Sequence, residues 1–350
     1  MKKIASLAAV GMLALATALV PSSPSAADGP ECDHYNHCYG IAHYPPPNGN
    51  IDSVAVELWT DCLHLDTPLS DMATHELWLW TNAASTSWLE GGYIRGIVAG
   101  GDSQNFFRWF WAEYTGTTLY THFIEWAAVS QWKQLWFTHY ADDSWGVYLG
   151  GQYKGMTAQR ATAGTYVQVG GETTEPEVYS HGKSRYLQWH YLGGSAWTGA
   201  STGSPAGTAG VYSVSASGGG MEQTSLKKMC TPPAARQGTA SAPSTKELKA
   251  SALAFAAAYG EESPSGLQAV ATTRKAAQRV VGAGDKFESD PAAYLVQMRG
   301  SFVGRAPKGA QPPRGNTMTL TIDRKTGEVT DMSIGNDRQD LSELGAVKSL

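Results

Sequence analysis

Between residues 51 and 228 apolar and polar positions alternate in short runs of Val, Trp, Tyr, Phe and Thr, broken by clusters of Gly, Asp and Ser. A period of two predicts strands. The runs fall at 53–59, 75–81, 87–94, 105–113, 118–126, 131–140, 144–149, 165–170, 187–191 and 210–217, and no helix of useful length competes with them. About ten strands in a domain of ~200 residues is the size of a two-sheet β-sandwich or jelly roll. Beyond Cys230 the period changes. Ser244 is placed to cap a helix over 245–258, and 265–281 has apolar residues at helical spacing. Strands over 294–303, 317–322 and 328–334 follow, the last two joined by a hairpin turn at 323–327, so residues 245–350 read as a small α+β accessory domain. Residues 231–244, rich in Pro, Ala, Ser and Gly, read as a flexible linker.

Parity along each strand sorts side chains onto two faces. Glu76, Trp78 and Trp80 oppose Leu77 and Leu79; Trp88 and Glu90 oppose Leu89; Trp109, Trp111 and Glu113 oppose Arg108 and Phe110. Tyr120 and His122 oppose Leu119 and Phe123, and Trp132, Gln134 and Trp136 oppose Leu135 and Phe137. With the aliphatic face as core, the other face is predicted to present tryptophan beside carboxylate, amide and imidazole. That chemistry suits a sugar, whose C–H face stacks on indole while its hydroxyls donate to carboxylates. Burial of the tryptophans between the sheets is the competing assignment.

Lys2 and Lys3 followed by a charge-free apolar run over 4–20, and then Ser25-Ala26-Ala27, predict a secretory signal peptide cleaved after Ala27. Without a second run long enough to span a bilayer, the mature chain from Asp28 is expected to be secreted and extracellular. All four cysteines lie in that exported part, and Cys32–Cys38 and Cys62–Cys230 are the pairings favoured over a metal site built on Cys32, His34, His37 and Cys38. Residues 28–230 carry 9 Lys and Arg against 19 Asp and Glu, whereas residues 231–350 carry 15 against 12. An acidic first domain argues against nucleic acid or an anionic membrane as a partner, because phosphate binding rests on clustered Lys and Arg. No cofactor is called for, although Asp142-Asp143 between two strands is compatible with calcium.

The strings Thr74-His75-Glu76-Leu77-Trp78, Trp88-Leu89-Glu90-Gly91-Gly92, Phe110-Trp111-Ala112-Glu113 and Trp145-Gly146-Val147-Tyr148-Leu149-Gly150-Gly151 resemble a group of uncharacterised secreted bacterial proteins with a concanavalin A-like sandwich. Sandwiches of that kind include lectins, carbohydrate-binding modules, glycoside hydrolases and polysaccharide lyases. The resemblance implies an extracellular glycan as ligand and no particular reaction. The hairpin from Leu320 to Asp331 resembles PepSY-like or cystatin-like domains, which are often accessory or inhibitory.

The leading expectation is a glycan-binding protein using Trp78, Trp80, Trp88, Trp109, Trp111, Glu113, Tyr120 and His122. A glycoside hydrolase, or a two-glutamate peptidase, is the alternative. It would use Glu76 and Glu90 on neighbouring strands, with Glu113, Glu125 and Glu172 in reserve, because such hydrolysis needs one carboxyl protonated and one ionised. A cell-surface protein that binds another protein without catalysis is the third.

Overall fold

The computed structural model describes residues 32, 37–46, 50–65, 72–82, 84, 86–96, 107–158, 161–174, 178–226, 242–283 and 286–350. The predicted signal peptide, the segment 227–241 and Cys230 lie outside the described residues. In chain order the first part forms β1 (Cys38–Tyr44), β2 (Ile51–Thr60), β3 (Leu63–His64), β4 (Met72–Trp80), β5 (Trp88–Gly96), β6 (Phe107–Tyr114), β7 (Leu119–Trp126), β8 (Gln131–His139), β9 (Trp145–Leu149), β10 (Gln152–Met156), β11 (Tyr166–Thr173), β12 (Tyr179–Tyr191), β13 (Trp197–Gly199), β14 (Ser204–Gly207), β15 (Tyr212–Ser217) and β16 (Gly220–Ser225). The second part adds α1 (Thr245–Ala258), β17 (Ser265–Thr273), α2 (Arg274–Val281), β18 (Ala292–Val303), β19 (Arg314–Asp323), β20 (Val329–Gly335) and β21 (Val347–Ser349).

The chain is mainly β and antiparallel. One sheet, in the order β10-β9-β8-β2-β12-β16-β15, with β13 and β3 also paired to β12, packs against a longer sheet that begins β14-β1-β11-β4-β5-β6-β7. Val54, Val56, Leu58, Leu135, Phe137 and Val147 from the first sheet meet Leu77, Leu79, Leu89, Val167 and Val169 from the second in one buried cluster. Every strand run predicted in the sandwich is present, because alternation with Gly and Asp punctuation is how a half-covered strand is written.

The longer sheet continues past β7. Residues 331–334 of β20 pair with residues 119–122 of β7, and the order runs on as β20-β19-β18-β17-β21. Residues from the second part therefore extend the sheet of the first. Helix α1 keeps its predicted limits: Ser244 accepts from the Glu247 N–H and Glu247 reaches back to the Ser244 N–H, a capping box. The helix predicted over 265–281 is instead strand β17 followed by the shorter α2. Gly266 adopts φ +61°, Val270, Thr272 and Thr273 are β-branched, and Thr273 caps α2 by accepting from Ala276 N–H.

The apolar side of α1 lies on the outer face of the long sheet. Leu248, Ala252, Phe255 and Tyr259 share a buried cluster with Met72, Ile94, Phe110, Ala112, Leu119 and Phe123 from β4 to β7. Both faces of the strands at the centre of the sandwich are thereby covered.

Candidate functional site

The register of β11, β4 and β5 decides which side chains meet on the outer face. Trp78 faces Glu90 and Trp80 faces Trp88 across β4 and β5, while Gln168 faces Trp78 and Gly170 faces Glu76 across β11 and β4. Glu76 and Glu90 are thus diagonal neighbours on one face, a placement that puts residues about 7–8 Å apart along the backbone. Glu172, two residues from Gly170, joins them, and its N–H donates to the Thr74 hydroxyl at 3.2 Å. Three carboxyls therefore step across three adjacent strands.

All three are buried, at 1%, 4% and 2% exposure for Glu76, Glu90 and Glu172. Burial, then the neighbouring Glu90 and Glu172 charges, push the Glu76 carboxyl well above the ordinary glutamate range. Burial raises Glu90 to about 7; the Arg305 guanidinium opposes this and the Glu172 charge adds to it. The Trp88 Nε1–H donates to Glu90 Oε2 at 3.0 Å. His37 Nδ1 lies 2.6 Å from Glu172 Oε1. Glu76 and Glu90 therefore retain a proton at pH values where an isolated glutamate has lost it.

The second part of the chain covers this face. Arg305 is 6% exposed, its guanidinium lies over the Phe110 ring at 5.8 Å, and its Nη1 contacts Met72 Sδ. Ala306, 2% exposed, shares one buried cluster with Tyr39, Ile41, Trp78, Trp80 and Trp88. Beyond it the face opens into a cleft of about 450 Å³ lined by His43, Trp80, Asn82, Thr165, Tyr166, Gln168, Lys308 and Gly309.

The structure corrects the predicted tryptophan face. Trp78 is 0% exposed, Trp80 3%, Trp88 0%, Trp109 2% and Trp111 1%, so none offers its ring to a sugar in this state. The residues also split. Trp111 faces Gly91 and Glu113 faces Leu89, which turns Trp109, Trp111 and Glu113 inward to the sandwich core, away from Glu76 and Glu90. Parity within a strand is read correctly from sequence; which face turns inward is not, and it reverses between β5 and β6.

Glu113 Oε1 accepts the Ala158 N–H at 2.7 Å. Tyr120 donates to the Val281 carbonyl at 3.1 Å. His122 stacks on Trp111 with centroids 4.0 Å apart, and its Nδ1 lies 2.8 Å from Asp331 Oδ1. Glu113, Tyr120 and His122 are thus engaged in buried contacts within the inner core and against the second part of the chain, out of reach of a ligand. Of the reserve carboxyls, Glu125 pairs with Lys133 and Lys154. Asp142 accepts from the Ser144 N–H and Asp143 pairs with His139. Cys32 and Cys38 form the predicted disulfide, and Cys62 is disulfide-bonded.

Sequence reading missed Tyr39, Gln168 and Arg305. Gln168 is within reach, since it shares parity with Glu172 in β11, whereas β1, which carries Tyr39, has too little alternation to announce itself. Arg305 lies 133 residues beyond Glu172 with no local signal.

No family model matches the chain, and no curated protein matches it. Among solved structures it is similar to a Scytalido-glutamic peptidase bound to a peptide-based transition state analog, at 12% identity over 55% of this chain and 99% of that one, with a TM-score of 0.39. A member of the Eqolisin family of peptidases in complex with the tripeptide Ala-Ile-His gives 12% identity, the same coverage and a TM-score of 0.37. A GlcNAcα1-4Gal-releasing endo-β-galactosidase from Clostridium perfringens gives 6% identity over 85% of this chain and 72% of that one, with a TM-score of 0.24.

Proposed function

We propose that this is an extracellular hydrolase that cleaves peptide bonds with the carboxyl pair Glu76 and Glu90. One observation carries the reading: two buried glutamates stand on adjacent strands, diagonal on one face, where burial pushes both carboxyls upward. Glu90, whose Oε2 accepts the Trp88 Nε1–H and is thereby favoured in its ionised form, is assigned as the base, and Glu76 as the acid. Glu90 takes a proton from water as the oxygen attacks the carbonyl carbon. Glu76 then gives its proton to the departing amine nitrogen as the C–N bond breaks. The lead of Lys2, Lys3 and the apolar run after them, and the Cys32–Cys38 disulfide, support an oxidising compartment outside the cytoplasm. Polypeptide is preferred to glycan because main chain already lies against this face, whereas the indole rings are enclosed.

The test is incubation of the full chain with a mixed peptide pool and, separately, with soluble polysaccharides from pH 3 to 8. New peptide N-termini, increasing in abundance as pH rises through about 7 and the Glu90 carboxyl ionises, are the expected result. New reducing ends without peptide cleavage would move the assignment to a glycosidase, and retention of glycans with neither product would return it to a binding protein.

A further inference from the structure

The segment 304–313 runs as a strap across the carboxyl face. It is tied at its ends, where the Gly304 N–H donates to the Pro313 carbonyl at 2.7 Å, and it turns where the Ala310 N–H donates to the Pro307 carbonyl at 3.0 Å. Its main chain is held by two side chains of the sandwich. The Tyr39 hydroxyl donates to the Ala306 carbonyl at 2.8 Å, and the Gln168 Nε2–H donates to the Lys308 carbonyl at 3.1 Å. Those carbonyls are two residues apart, the first leading into the turn and the second within it. Between its flanking bonds the strap sets the Arg305 side chain and the Ala306 methyl over the face that carries Trp78, Glu76 and Glu90.

We infer that residues 304–310 occupy the substrate channel as an internal competitor, and that Tyr39 and Gln168 are the positioning residues that hold the main chain of a polypeptide substrate once the strap leaves. This rests on the hydrolytic reading of the same face. Hydrogen bonds to carbonyls are indifferent to sequence, so the two donors suit any main chain that brings two carbonyls to them, as the strap does. An occupant on the same chain is present at a high effective concentration, so the full chain is latent and turns over only while the strap is displaced. Lys308 is half-buried and Gly309 exposed at the mouth of the cleft, which makes the bond between them the accessible point at which cutting would release the strap.

The experiment compares full-length wild type with Ala306→Arg, whose larger side chain cannot fit among Trp78, Trp80 and Trp88. Where that variant does not fold, wild type nicked after Lys308 by a lysine-specific protease takes its place. Two readouts are taken: labelling of Glu76 and Glu90 by a water-soluble carbodiimide with glycinamide, mapped by mass spectrometry, and cleavage of the peptide pool. The inference expects both to rise at least tenfold. In the opened chain Tyr39→Phe and Gln168→Leu should each raise KM several-fold with kcat unchanged, a split that a merely structural role would not give. Wild type that already cleaves as fast as the opened chain, with labelling unchanged, overturns the strap's role and leaves the hydrolase reading standing. Labelling that rises with no cleavage in any form retires the hydrolase reading and, with it, the strap as competitor.

Discussion

Glu90→Gln is expected to lower peptide turnover by roughly a thousandfold, within the range that a positioned acid or base contributes. Glutamine keeps the volume of the side chain and an oxygen that accepts the Trp88 Nε1–H, so the folded state should survive and the melting temperature should stay close to that of wild type. What is lost is the charge that draws a proton from water. Glu76→Gln should cost as much, since an amide cannot give a proton to a leaving amine. The double variant should be little worse than either single one, because two groups that act on one transition state are not additive. Glu262→Gln on the exposed surface serves as the control and should leave turnover unchanged. These comparisons are best read in the strap-released chain, where the wild-type rate is highest, with single-turnover kinetics and circular dichroism on the same samples.

The largest loss of stability is expected at Asp331, which joins the two parts of the chain. It is 1% exposed and accepts from Arg274 Nε at 2.9 Å, Arg274 Nη2 at 2.6 Å and Thr330 Oγ1 at 2.8 Å, with His122 Nδ1 at 2.8 Å. Removing one partner of a buried ion pair costs ~3–5 kcal/mol because the other is left without its counter-charge. Arg274 keeps 15% side-chain exposure, so Asp331→Ala is placed at the lower end, about 3 kcal/mol, by urea unfolding at neutral pH.

The sign with pH follows from the direction of the shift. Burial acts to raise the Asp331 carboxyl, but the Arg274 guanidinium and the His122 hydrogen bond outweigh it and hold the group well below the ordinary value of 3.8. A depressed carboxyl contributes its stability above the unfolded value and loses it as pH falls toward the folded one. The difference between wild type and Asp331→Ala should therefore be full above about pH 4 and shrink below it.

Much of the fold is legible in the alternation from residue 51 onward, because a strand packed on one face must place apolar side chains at every second position. The covering of the second face emerges only in the structure. Strands β4, β5 and β6 have almost no exposed position, and Ile94, Phe110 and Ala112 fall on the outer face. A sheet buried that way has something on both sides, and here the something is α1 and the strap. What sequence does not reveal is the inward or outward sense of each strand, which depends on loops and register. That is why Trp109 and Trp111 were grouped with Trp78 and Trp88 although a sheet separates them. Glu76 and Glu90 are recoverable because they share parity and neighbouring strands; Arg305 becomes visible only once residues 292–335 are folded against the sandwich.

The most direct measurement is a pH titration of the full chain carrying ¹³C in its glutamate carboxyls, followed by NMR. One carboxyl resonance with a midpoint near 7, absent from Glu90→Gln, is the predicted result. Titration of every glutamate at or below the ordinary value of 4.5 would contradict the shared proton on which the proposed chemistry depends.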